Sequence, residues 1–164
     1  MKETTLCYIE NNHCYLMLHR TRKAGDPNRD KWLGIGGHIE PGETAAECIL
    51  REALEETGLT LLDCTCRGIV HFRSDCWEDE EMHLYTATRF RGELIPCSEG
   101  DLEWVDKDRL WELPLWEGDR IFLELLNAGA PSFDLTLEYR GEKLMRATLN
   151  GADVTPGGTD KGGL

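Results

Sequence analysis

β-Branched, aromatic and aliphatic residues dominate Thr4 to Ile9 and Cys14 to Arg20, with the turn-forming pair Asn11-Asn12 between them. That pattern predicts two strands joined by a tight turn. A polar stretch with Pro and Gly, Thr21 to Lys31, reads as a loop, and Trp32 to Ile39 is Gly-rich before a turn at Pro41-Gly42. From Thr44 to Thr57 the pattern becomes helical. Thr44 and Glu47 have capping-box spacing, and Gly58 stands where a helix-terminating glycine belongs. Further strands are predicted at Leu59 to Leu62, Gly68 to Phe72, Met82 to Phe90 and Leu102 to Val105. A second helix is predicted from Asp119 to about Asn127, and a closing hairpin from Phe133–Tyr139 and Lys143–Leu149 around Arg140-Gly141-Glu142. The Gly-rich stretch from Asn150 to Leu164 has little to bury and is expected to be a mobile tail. The expected fold class is α/β (α+β), one domain over residues 1–149, with helices packed on a sheet.

Charge narrows the function classes. The chain carries 31 Asp and Glu against 18 Lys and Arg, a formal net charge of −13 over 164 residues. Phosphate neutralisation on a nucleic-acid polymer needs clustered basic charge, so no such polymer is expected as a partner. An anionic ligand would need divalent cations to supply positive charge. No apolar run approaches the length of a bilayer span, so no membrane partner is expected. Seven cysteines, an odd number without a CxxC pair, suit reduced thiols and a cytoplasmic location. The one grouping with a hint of metal chemistry is Cys64-x-Cys66 with His71 and Cys76, whose spacing fits no usual zinc pattern.

The chemistry concentrates on the first helix. Glu52 lies one turn from both Glu55 and Glu56, beside the apolar arc of Ala46, Ile49, Leu50, Ala53 and Leu54. Three acids beside a buried stripe repel one another, and Arg51 relieves only part of that by pairing with Glu55 or Glu43. Hard cations with oxygen ligands, Mg²⁺ or Mn²⁺, are the natural completion.

Gly37 to Leu59 fits the pattern G-x5-E-x7-R-E-U-x-E-E-x-G-U, through Gly37, Glu43, Arg51, Glu52, Ala53, Glu55, Glu56, Gly58 and Leu59. The chain therefore resembles the Nudix hydrolases. The approach Lys31-Trp32-Leu33-Gly34-Ile35-Gly36-Gly37 and the segment Leu113 to Asp119 resemble the MutT-like, 8-oxo-purine branch. The resemblance implies a mixed β-sheet sandwiched between α-helices, and hydrolysis of a nucleoside diphosphate linked to another group. It further implies Glu52, Glu55 and Glu56 as metal ligands, the Gly37 carbonyl as another, and Glu99 as a further ligand or general base. Arg51 and Glu43 would hold the loop–helix geometry, with Arg51 counted in the catalytic set. Arg20 would contact phosphate.

On the substrate side, Trp116 and Asp119 resemble base-pocket residues of that branch, and Trp32 and Leu33, in the approach to the motif, are counted with them. The branch often has Asn where this chain has Leu33, and an acid where it has Gly118. The implied activity is a Mg²⁺-dependent nucleoside triphosphate diphosphatase acting on oxidised purine nucleotides such as 8-oxo-dGTP. Its alternatives are hydrolysis of other nucleoside triphosphates or nucleotide sugars, and a non-catalytic nucleotide sensor.

Overall fold

A computed structural model describes residues 1–22 and 24–157. The first strand, β1 (Lys2–Asn11), turns through Asn12 and His13 into β2 (Cys14–Arg20). Both turn residues have positive φ, 51° and 63°, the geometry whose twist matches a two-residue hairpin. Only Glu10 and Asn11 of β1 pair with β2, because the two strands splay apart upstream. On its other edge β1 pairs in parallel with β6 (Glu80–Ala87) from Lys2 to Ile9. The edge freed by the splay is taken by the Gly-rich segment. Ile35 exchanges backbone hydrogen bonds with Cys7, Thr5 N–H donates to Gly37, and Ile39 N–H donates to Glu3.

The remaining strands extend this frame. β3 (Trp32–Leu33) and β8 (Gly100–Asp106) both pair antiparallel with β2. Beyond β6 lie β5 (Thr65–Ser74), β9 (Phe133–Arg140) and β10 (Lys143–Leu149). The predicted strand Met82 to Phe90 is two elements. β6 ends at Ala87, where the Asp63 carboxylate accepts the Thr88 and Arg89 backbone N–H groups. After that interruption β7 (Phe90–Arg91) pairs with β4 (Thr60–Leu61) instead.

The helices cover opposite faces of the sheet. α1 (Ala45–Thr57) sets Ile49 and Ala53 against Cys7, Ile9, Leu16, Leu18 and Ile35. α2 (Glu117–Asn127) sets Phe122, Leu123 and Leu126 against Leu6, Tyr8, Met17, Leu84 and Leu135. This is the expected mixed sheet between helices. The capping box on α1 is present in both directions, and Gly58 ends the helix at φ 82°. A side chain at Gly58 would also meet the Glu93 carbonyl oxygen at 2.7 Å.

The C-terminal stretch departs from the expected tail at its start. Ala152–Asp153 form a short strand, β11, antiparallel to β10, and Val154 N–H donates to the Ala147 carbonyl. Glycine content had suggested mobility, but Asn150 and Gly151, both at positive φ, make a turn that returns the chain to the sheet edge. The end of the expected tail, residues 158–164, lies outside the described residues.

Candidate active site

The splay of β1 and β2 decides where the acids sit. In an extended segment the backbone groups of alternate residues point to opposite edges. Ile35, Gly37 and Ile39 direct theirs to β1, so Gly36 directs its own away from β1, toward α1. Its N–H accordingly donates to Glu56 Oε1 at 3.2 Å. Its carbonyl accepts no hydrogen bond among the described residues. This corrects the expectation for Gly37. The Gly37 carbonyl accepts the Thr5 N–H at 2.9 Å and the Thr5 hydroxyl at 3.3 Å, so it belongs to the β1 ladder. Gly36 offers the oxygen on the side of the helix carboxylates. The register could have been found in sequence only by knowing which residues bond to β1.

Backbone contact requires glycine at 36, whereas at 37 the neighbour is the carboxylate end of a side chain. A Cβ on Gly36 would fall onto the Thr5 carbonyl group, with the carbonyl carbon only 2.6 Å away. On Gly37 it would collide with the Glu52 carboxylate, whose Cδ would be 2.7 Å away.

Arg51 organises the loop that precedes the helix. Its guanidinium grips Glu43 through two bonds, Nε to Oε2 at 2.7 Å and Nη2 to Oε1 at 3.0 Å. Nη1 reaches Glu52 at 3.1 Å and Glu55 at 3.2 Å, while Nη2 also donates to the His38 carbonyl at 3.1 Å. The planar fork meets four partners at once, which a lysine ammonium cannot do. These bonds hold the Glu43 carboxyl down at about 2. Arg51→Lys should therefore lower kcat/KM by about 10- to 100-fold, the usual cost of loosening the support of a metal ligand. Steady-state kinetics beside a melting curve would check it, since wild-type turnover in the variant would contradict this role.

Glu52, Glu56 and Glu99 face one cleft of about 530 Å³. Burial pushes the Glu52 carboxyl up. Burial, followed by the charges of Glu52 and Glu99, pushes Glu56 up to about 8. Glu55 does not line the cleft; its half-exposed carboxylate turns back to Arg51. Arg20 does line it, but its guanidinium is engaged by the buried Asp26 at 3.0 Å and by Glu99 at 3.3 Å. Arg20 is thus placed to orient Glu99 rather than standing free for phosphate. Asp26, which the sequence did not single out, is what holds it.

Two helix carboxylates, Glu99 and the Gly36 carbonyl line this cleft, oxygen donors of the kind that a hard divalent cation takes. Burial and then repulsion lift Glu56, and such a cation would relieve the repulsion.

A consequence follows for stability. The folded protein holds the Glu56 proton to about pH 8, whereas the ordinary value is 4.5. Asp119, lifted by burial and by Glu80, also reaches about 8 from 3.8. A carboxyl raised in the folded state contributes stability at low pH that is lost as pH climbs to the folded value. In EDTA the melting temperature should therefore fall between about pH 5 and pH 8, by on the order of a few kcal/mol in stability. Glu56→Gln and Asp119→Asn should each flatten that slope in melts across the range, and unaltered slopes in both would contradict it.

Leu33, Phe72, Met82, Trp77, Trp116, Asp119 and Tyr139 also line the cleft, with the carboxylates of Glu78 and Glu80 among them. Trp116 donates from Nε1 to Asn28 Oδ1 at 2.8 Å. Gly118, where the resembled branch has an acid, is enclosed: its N–H donates to the Tyr139 hydroxyl at 2.7 Å, and a Cβ would meet that oxygen at 2.8 Å. Trp32 is a correction. It does not line the cleft, and its indole stacks on His19 with ring centroids 4.4 Å apart.

The cysteine grouping does not assemble. Cys66 and Cys76 flank opposite ends of β5, roughly 30 Å apart along an extended strand. His71 bonds instead to Asp134 at 2.9 Å. All seven thiols are free.

The chain belongs to the Nudix family: the profile of the NUDIX domain matches residues 2–126. Within that family it is a MutT-like Nudix hydrolase. A mutator MutT protein from Bacillus halodurans superposes with a TM-score of 0.83 at 28% identity, covering 92% of this chain and 98% of that one. An uncharacterized Nudix hydrolase of Bacillus subtilis is 26% identical over 87% of this chain and 89% of its own length. An oxidized purine nucleoside triphosphate hydrolase of Danio rerio is 32% identical, over 58% of this chain and 62% of that protein. No helix among the described residues is long and apolar enough to cross a membrane.

Proposed function

We propose that the protein is a Mg²⁺-dependent nucleoside triphosphate diphosphatase that releases pyrophosphate and leaves a monophosphate, with oxidised purine nucleotides such as 8-oxo-dGTP as its substrates. The observation that carries this reading is the make-up of the cleft. One cleft holds the carboxylates of Glu52, Glu56 and Glu99 together with the rings of Trp77, Trp116 and Tyr139, as a ligand with a phosphate tail and a planar head requires. Glu52, Glu56, Glu99 and the Gly36 carbonyl would hold the metal, with Glu55 as an outer acid that also raises Glu52. Bound there, Mg²⁺ would offset phosphate charge and activate the attacking water. Glu99 serves as the further metal ligand, held at the cleft by Arg20. Arg51 positions the helix carboxylates through Glu43 and His38. The free thiols support a reducing, cytoplasmic setting.

The aromatic and apolar lining reads the base. Asp119, almost fully buried and carrying its proton at neutral pH, offers a donor. Trp116 forms a wall beside it. Leu33 supplies surface without a polar group, so discrimination for the oxidised base should be incomplete. Leu33→Asn adds a group that both donates and accepts. It should raise the kcat/KM ratio of 8-oxo-dGTP over dGTP by up to roughly tenfold, the size of one new hydrogen bond.

A panel of 8-oxo-dGTP, dGTP, other triphosphates and nucleotide sugars, with kcat/KM measured for each, tests the assignment. An oxidised purine triphosphate at the head of the ranking is expected. A nucleotide sugar at the head would overturn the substrate class while leaving the hydrolase intact.

A further inference from the structure

The cleft contains a second tryptophan that neither the sequence pattern nor the comparisons assign. Trp77 lies between β5 and β6, lines the cleft, and remains 39% exposed. An indole is costly to leave in water unless something covers it. The segment that carries it is well anchored. The Ser74 hydroxyl accepts the N–H groups of Cys76 and Trp77, both at 3.0 Å. The Asp75 carboxylate accepts the Gly141 N–H at 2.9 Å, tying the segment to the β9–β10 turn. Trp77 is thus an exposed ring on a fixed support.

Its relation to Trp116 decides what it can do. The two rings are 5.9 Å apart at 84°, so a planar group parallel to one is perpendicular to the other. A single base cannot stack on both. Trp116 already has its N–H bonded to Asn28, the Lys31 ammonium 5.1 Å over its ring, and Tyr139 edge-on at 5.4 Å. Among the described residues Trp77 forms no hydrogen bond through its indole, and Trp116 is its aromatic neighbour. A base stacked on Trp77 would bring its edge toward Trp116, in the cleft that Asp119 also lines. On the face of Trp116 that the Lys31 ammonium covers, a base would have to displace that cation.

Building on the proposed function, we propose that Trp77 is the stacking platform of the cleft and determines affinity for substrates with a heterocyclic base, while Trp116 is the fixed wall behind it. The inference concerns the base, so its test needs no turnover. Calorimetry would compare binding of dGMP, the monophosphate product of dGTP, with that of ribose 5-phosphate, which lacks a base. Trp77→Ala should weaken dGMP binding by roughly tenfold, the size of one lost base–aromatic stack, and Trp77→Phe should recover most of it. Ribose 5-phosphate affinity should be the same in all three proteins. Undiminished dGMP binding in Trp77→Ala, an equal loss for ribose 5-phosphate, or no measurable dGMP binding by the wild type would each overturn the proposal. Failure of the hydrolase assignment reads out separately, as absence of pyrophosphate release from any nucleotide.

Discussion

Glu56→Gln should lower kcat/KM by about a thousandfold and raise the melting temperature in EDTA at pH 8. Both effects come from one cause. Glu56 is held against Gly36 N–H and crowded by Glu52 and Glu99, so its charge is expensive unless a cation shares it. Glutamine keeps the shape and removes the charge. The cation site then loses a preorganised anion, a change that costs about 10²- to 10³-fold in comparable electrostatic centres. Without metal the same substitution relieves repulsion, so the folded state gains. Kinetics in Mg²⁺ and melts in EDTA measure the two effects on one preparation. Activity within a few-fold of wild type, or a lower melting temperature in EDTA, would contradict the role given to Glu56.

Gly36→Ala unfolds or severely destabilises the protein. The added methyl would land on the Thr5 carbonyl, with its carbon 2.6 Å away and the Leu6 Cα 2.9 Å away. Those atoms belong to the backbone of a central strand and cannot step aside as a side-chain tip can. Relief requires the Gly-rich segment to lift off β1, breaking the bonds of Ile35 and Gly37 to that strand. The expected loss is about 3 kcal/mol or more, the range of forced overpacking in a closed site. Gly42→Ala provides the comparison, because nothing lies within 4 Å of its Cβ position. That residue has φ 81°, so it incurs only the conformational cost. Denaturant melts should rank Gly36→Ala well below Gly42→Ala, and equal midpoints would contradict the close approach.

The helix and its carboxylates were legible because their determinants are local. Thr44, Glu47 and Gly58 announce α1 through contacts three or four residues apart, and Glu52 and Glu56 share a face by helical period alone. The sheet between helices followed from the resemblance and the strand pattern together. What the sequence could not carry was long-range register. Gly36 and Gly37 differ by one position, and only the pairing of that segment with β1 decides which carbonyl faces the helix. Trp32 looked like a base contact because it precedes the motif, yet its stacking on His19 depends on the β2–β3 pairing. Trp77 passed unnoticed for the complementary reason. Its segment, Asp75 to Asp79, is polar and exposed, and the cleft is brought to it by the β5–β6 connection. Asp26 likewise sits in a loop whose sequence gives no sign that it will close over Arg20.

The central claim is that this cleft cleaves a nucleoside triphosphate so as to leave the monophosphate, and product identity tests it most directly. Phosphorus NMR of 8-oxo-dGTP or dGTP incubated with the wild-type protein and Mg²⁺ should show monophosphate and pyrophosphate appearing in equal amounts, with Glu56→Gln close to background. Diphosphate with inorganic phosphate, or release undiminished in Glu56→Gln, would contradict it.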